Sequence, residues 1–338
     1  MLKRNFKKLM VIALIFCLTF AIFGCSDSQT TQQNEGDIAD TFPEKDIFAT
    51  YSSKAGSGGD IFLRNLGKAI TDQLNGNAWV VENRVGSSGA IAFMYVKDAK
   101  PDGYNLLGFT TSMISAGIIG DMPVSYADFE PVCSVANDPQ YIYVKGDAPW
   151  DTLDELMEDA RNRPKEQRWG RGIPSGSNTL GQLLLLKSAS DVEVSPVVFD
   201  GGSEALTAIL GGHIDVSSGE YSEIRGLLES GDVKVLAALT NERTKALPDV
   251  STAKEQGYDA VLDRPRGLLA PKGTPSEVVE KIASIVKEAL NEESFVKELE
   301  EEGTEVEYIG PEEFGGILDN IYNSYVSINL KELAEEQN

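Results

Sequence analysis

Residues able to do covalent chemistry are few in this chain. What recurs instead is a glycine- and serine-rich loop that opens directly into a helix. The first loop runs Ser52-Ser53-Lys54-Ala55-Gly56-Ser57-Gly58-Gly59-Asp60 and follows the extended segment Ile47 to Tyr51. Small residues let the backbone come close to a guest. The unpaired N–H groups of a helix's first turn, at the positive end of its dipole, favour an anion there. The chemistry this predicts is capture of a carboxylate or phosphate by Ala55, Gly56, Ser57 and Gly58, with Asp60 ordering the loop. Taken alone, the stretch reads equally as a flexible turn capped by Asp60. Neither usual nucleotide loop fits, because no Lys-Ser/Thr pair follows the last glycine and the third spaced glycine is missing.

Three further loops repeat the design. Asn83 to Gly89 carries Ser87 and Ser88. Gly170 to Thr179 carries Ser177, Asn178 and Thr179. Gly201-Gly202-Ser203 follows the strand-like Val194 to Phe199. The alternatives are poorly provided for. The single histidine, His213, sits where a helix end turns into a strand, and with Asp215 it offers too few ligands for a transition metal. No Gly-x-Ser-x-Gly elbow occurs, and Cys133, between Val132 and Val135, reads as a small core residue. The sequence therefore points to a binding protein with no cofactor and no metal, not an enzyme. An exported hydrolase and a structural surface lipoprotein are the readings from other classes.

The elements that must position these loops alternate in type. Ile61, Phe62, Leu63, Leu66, Ala69, Ile70 and Leu74 have the spacing of one buried helical face, stopped by Asn75-Gly76. Trp79 to Glu82 reads as a strand, Ala90 to about Lys97 as a helix, Tyr104 to Phe109 as a strand and Ser112 to Gly120 as a helix. The middle of the chain restarts with the strand Tyr141 to Val144 and a helix capped by Asp151. It continues with helices at Leu180 to Leu186 and Glu204 to Leu210 and a strand at Val233 to Leu239. Leu268 to Ala270 is a strand. A long helix from Pro275 follows, with an apolar stripe of Val278, Val279, Ile282, Ile285, Val286 and Leu290. The acid run Glu298 to Glu302 reads as a solvated helix end. About 300 residues exceed one comfortable core, so the expectation is an α/β protein of two lobes, each a mainly parallel sheet flanked by helices. Lobe 1 is 43–140 plus 241–338, lobe 2 is 141–240, and a ligand cleft lies between them.

The N-terminus reads as an export signal over residues 1–24, with Lys3, Arg4, Lys7 and Lys8 before the apolar run Leu9 to Phe23. Gly24-Cys25 resembles the lipobox of bacterial lipoproteins, which implies lipidation at Cys25. The polar stretch 25–42 then reads as a flexible tether. Signal removal takes away four basic residues and no acid, so the net charge falls from −23 to −27. A body this acidic repels nucleic acid and anionic lipid, and an anion site on it must supply its own positive potential.

Longer motifs carry a family resemblance. Glu82-Asn83-Arg84 with Gly86 and Gly89, Lys100-Pro101-Asp102-Gly103-Tyr104 and Phe199-Asp200-Gly201-Gly202 are among them. So are Leu210-Gly211-Gly212-His213-Ile214-Asp215, Ala246-Leu247-Pro248-Asp249-Val250 and Ala270-Pro271-Lys272-Gly273-Thr274-Pro275. In this order, over about residues 43 to 325, they resemble the solute-binding proteins of tripartite tricarboxylate transporters, also called the Bug family. The resemblance implies a type II periplasmic-binding-protein-like fold and an extracytoplasmic, lipid-anchored monomer. It implies a small organic acid as ligand and the membrane permease subunits of a tripartite transporter as partner. It also implies ligand contacts from the first loops, from Ser177, Asn178 and Thr179, from Gly201, and from Arg266 beside Gly267. Ala90 stands where the family often has Asn, Thr179 where it often has His, and Asp200 where Lys is usual. Those departures leave the particular acid open.

Overall fold

Strand and helix patterns of this kind assemble into two separate sheets. The computed structural model describes residues 41–120, 122–172, 175–199 and 202–332. The export signal, Cys25, most of the tether, Asp200 and Gly201 lie outside the described residues. The chain runs β1 (Ile47–Tyr51), α1 (Gly58–Ala69), β2 (Trp79–Asn83), α2 (Ala90–Lys97), β3 (Asn105–Gly108), α3 (Ser112–Ile119) and β4 (Phe129–Asn137). It continues as β5 (Gln140–Lys145), α4 (Leu153–Asn162), β6 (Arg168–Arg171), α5 (Ser177–Ser188), β7 (Ser195–Val198), α6 (Gly202–Leu210), β8 (Val216–Glu220), α7 (Tyr221–Ser230) and β9 (Val233–Ala238). It ends with β10 (Pro265–Pro271), α8 (Ser276–Glu288), α9 (Glu293–Glu301), β11 (Glu305–Ile309) and α10 (Pro311–Ser327).

The first sheet has the order β11-β4-β10-β3-β1-β2 and the second β7-β6-β8-β5-β9. Both are mixed, where the sequence suggested mainly parallel sheets. The strand–loop–helix units do pair in parallel, β1 with β2 and β3, and β6 with β7 and β8. The antiparallel part of the first sheet arises at the passage between the two. β4 leaves the first sheet at Asn137 and β10 re-enters at Pro265 beside it, so an outgoing strand meets a returning one. The second sheet is antiparallel where β5, just arrived from β4, pairs with β8 and β9.

Burial follows the apolar pattern. Leu106 and Leu107 of β3 are fully buried, and the stripe positions of α8 from Val278 to Val286 are all buried. A contiguous apolar core runs from Phe93, Leu107 and Phe109 to Ile142, Trp169 and Leu180, so it touches elements of both sheets. Trp169 is fully buried, and its indole N–H donates to Gln167 Oε1 at 3.1 Å, which satisfies the one polar atom it brings inside.

Three local expectations change. Ile61 is 38% exposed, because α1 begins at Gly58 and turns that position away from the sheet. Thr152, not Asp151, caps α4, in a capping box with Glu155, and Asp151 instead bonds Lys234. Glu302 is not simply a solvated helix end, since its carboxylate accepts from Arg266 at 3.1 Å.

Candidate functional site

Parallel β-strands followed by helices leave their ligand-facing loops at the carboxyl ends of the strands. There the structure has a cavity of about 240 Å³. Its walls come from Tyr51 at the end of β1, Ser57 to Gly59 at the start of α1, and Gly108 to Thr111 after β3. Phe62 and Leu63 of α1, Asp138 on the crossing, Glu220 at the end of β8 and Arg264 to Gly267 around the start of β10 complete it. One edge of the second sheet thus meets the loop edge of the first. Ser115 of α3 donates to the Ser175 carbonyl at 3.3 Å across the same region.

The α1 end of the cavity is a donor array. Gly56, at φ +82°, is a position for glycine, and its N–H donates to Asp60 Oδ2 at 2.8 Å. Ser57 N–H closes a turn onto the Lys54 carbonyl at 3.1 Å, and Ile61 N–H bonds the Ser57 carbonyl at 2.9 Å. The amides of Gly58, Gly59 and Asp60 make no backbone bond among the described residues, as expected of a first turn. Ser57 Oγ is buried without a partner. Asp60 is 2% exposed and bound by Arg64 as well as by Gly56. Burial raises its carboxyl pKa, but the bonds from Arg64, Gly56 and Asn83 together outweigh that and hold it below the usual carboxylate value.

The opposite wall is charged and internally paired. Arg264 lies 2.7 Å from Glu220 and donates to Gln140 Oε1 at 3.2 Å, while its Nε is buried without a partner. Arg266 lies 2.8 Å from Asp138 and 3.1 Å from Glu302. Burial pulls both guanidinium pKa values down, and the neighbouring carboxylates, Glu220 first for Arg264 and Asp138 first for Arg266, reverse that. Two cations face two carboxylates on the lining, with Glu302 behind, so this wall offers no surplus positive charge. Burial likewise raises the Tyr51 phenol pKa, which keeps it a neutral donor.

Among the residues singled out from sequence, Ser57, Gly58 and Arg266 line the cavity. Ala55 and Gly56 stand just outside it, and Asp60 acts behind Gly56. Ser87 and Ser88 are exposed, in left-handed backbone, on the β2–α2 loop and are not among the lining residues. Asn178 Oδ1 accepts from Thr179 N–H at 2.8 Å, and Thr179 Oγ1 donates to the Gly172 carbonyl at 3.0 Å. The Asn178 side-chain oxygen and the Thr179 hydroxyl are thus engaged within their own loop, while Ser177 is half-buried. Gly201 lies outside the described residues. Sequence reasoning missed Tyr51, Asp138 and Glu220. Each sits at the carboxyl end of a strand or on a crossing, the one positional signal available for them.

Covalent machinery is not gathered here. His213 is exposed on the turn before β8, and Cys133 is fully buried in β4, where burial pushes its thiol pKa up. Among the described residues no group of three or more His, Cys, Asp or Glu is placed to hold a metal, and no helix is long and apolar enough to cross a membrane.

A cavity of helix-end amides and hydroxyls, set where two α/β sheets meet, is the arrangement of a periplasmic binding protein, a receptor that holds its solute without altering it. Sequence comparison is more specific. Residues 62–319 match the tripartite tricarboxylate transporter family receptor, and the chain belongs to that family of solute-binding receptors, which are not enzymes. Protein BugT of Bordetella pertussis is 27% identical over 83% of this chain and 87% of its own length. A TctC solute binding protein from Polaromonas superposes with a TM-score of 0.80 at 28% identity, covering 86% of this chain and all of the other. The R. palustris protein Rpa4515, whose structure is described as with adipate, gives a TM-score of 0.67 at 25% identity over 85% of this chain and 97% of its own.

Proposed function

We propose that this protein is an exported lipoprotein, anchored through Cys25, that captures a small organic acid and delivers it to a membrane permease of the tripartite type. The observation that carries the acid reading is the start of α1, where Gly58 and Gly59, with first-turn amides free of backbone bonds, and Ser57, with its unpartnered hydroxyl, line the cavity. Donors without acceptors at the positive end of a helix suit a carboxylate. The adipate with the R. palustris relative is the same chemistry on a related chain. Residues 43–140 plus 241–338 would form one lobe and 141–240 the other, closing on the acid by bending at the two crossings.

Native mass spectrometry of the protein as purified tests the reading by identifying any retained solute, and calorimetry across mono-, di- and tricarboxylates extends it. Binding of a neutral sugar or a cation with no response to any acid would overturn it. The anchor is tested separately: Cys25→Ala should abolish lipid processing and release the protein from the membrane fraction. Unchanged processing and fractionation would remove the anchor from the proposal.

A further inference from the structure

Arg171 is the last residue of β6, is 6% exposed, and belongs to none of the charge pairs described above. Among the described residues its one hydrogen bond is from Nε to Gln182 Oε1, at a long 3.4 Å. Every other described arginine lies within 3.9 Å of a carboxylate. Carboxylates are not in short supply, since the chain has 53 acidic residues against 30 basic ones. A buried guanidinium without a counter-charge is costly, and the fold tolerates such a group where something outside the chain completes it. Burial lowers its pKa to about 10, which still leaves it charged at neutral pH.

Its position relates it to the cavity. Trp169 of β6 pairs in parallel with Val216 of β8, which sets Arg171 level with Ser218. Gln182 spans the two, accepting from Arg171 and donating to Ser218 Oγ at 3.3 Å. Two residues further along the same face of β8 stands Glu220 on the cavity wall, about 6.6 Å along the strand. Arg171 ends the strand that leads to α5, a twelve-residue helix whose first turn carries the positive end of its dipole.

We propose that Arg171 is an anion-binding residue of the second sheet, taking the distal acid group of a ligand whose first acid group is held at the start of α1. The preferred solute class is therefore a diacid. This rests on the carboxylate reading of the cavity. The planar fork of the guanidinium matches a carboxylate at two points, which the paired Arg264 and Arg266 do not offer.

The test compares succinate and adipate with the monoacids butyrate and hexanoate, by calorimetry on the wild-type protein, Arg171→Met and Arg171→Lys. Diacid affinity should fall about 10- to 100-fold in Arg171→Met, with partial recovery in Arg171→Lys. Monoacid affinity should be unchanged, which also shows that the variant is folded. The ligand-free melting temperature of Arg171→Met should hold or rise, because an unpaired buried charge has been removed. Equal loss of monoacid and diacid binding with a lowered melting temperature would make Arg171 a structural residue and overturn the inference. So would diacid binding that survives the substitution. If the wild-type protein bound none of these acids, the proposed function would fall first and the role of Arg171 with it.

Discussion

Replacing Asp60 tests whether the α1 loop is held by one carboxylate. Asp60 Oδ2 accepts from Gly56 N–H at 2.8 Å and from Arg64 Nε at 3.1 Å, and Oδ1 lies 2.9 Å from the Arg64 guanidinium. The part-buried bond from Gly56 to an ionised acceptor is worth about 1.5–3 kcal/mol. The Arg64 side chain is 46% exposed, so its pair is discounted to about 0.5 kcal/mol. Position in the first turn of the helix adds about 0.3–1 kcal/mol. Asp60→Ala should then cost about 2–4 kcal/mol at neutral pH, and Asp60→Asn, which keeps one acceptor, about half of that. The pH dependence is signed. A carboxyl whose folded pKa lies below its ordinary 3.8 contributes stability that is fully present above 3.8 and is lost as pH falls through the lower folded value. Urea unfolding at pH 7, 5 and 3, followed by tryptophan fluorescence, reads this out, since the Trp79 indole donates to the Leu63 carbonyl of α1 at 3.0 Å. The gap between wild type and Asp60→Asn should be open at pH 7 and 5 and narrow toward pH 3. A gap independent of pH, or none at pH 7, would refute the reasoning. Acid affinity should weaken in parallel although Asp60 does not line the cavity, because Gly56 loses its anchor.

Other perturbations separate fold from site. Gly58→Ala meets open space and should leave the melting temperature intact while reducing acid affinity in calorimetry. Gly59→Ala would drive a methyl into the Tyr51 ring and should lower both, by about 1–3 kcal/mol in stability. Glu220→Gln leaves Arg264 buried and unpaired and should cost up to about 3–5 kcal/mol in urea unfolding, of which adding Arg264→Met restores a large part. Cys133, fully buried and with its thiol pKa raised, should resist a thiol reagent in the native protein and react fully in denaturant.

What the sequence revealed and what it hid divide by range. The Gly/Ser loop into α1 and the stripe of α8 are local patterns, so their positions could be read directly from spacing. The sequence signals a strand after His213 but hides the extent of β8, because Val216-Ser217-Ser218-Gly219-Glu220 looks polar. Its serines are buried only because Gln182 and the carbonyls of Gly170 and Asn178 bond them, across tens of residues. The same limit affects the arginines. Next to Gly267, Arg266 reads as a cation free for a ligand. In the fold, Asp138 arrives from 128 residues away on the outgoing crossing and takes it. Arg171, written beside Trp169-Gly170 with no visible distinction, is the described arginine with no carboxylate partner among the described residues. In a chain this acidic, nearby carboxylates neutralise most arginines. Net charge therefore says little about which cations remain available to a ligand. That depends on which side chains the topology leaves unpaired, and here they lie at the loop edges of the two sheets, in the first turn of α1 and at the end of β6.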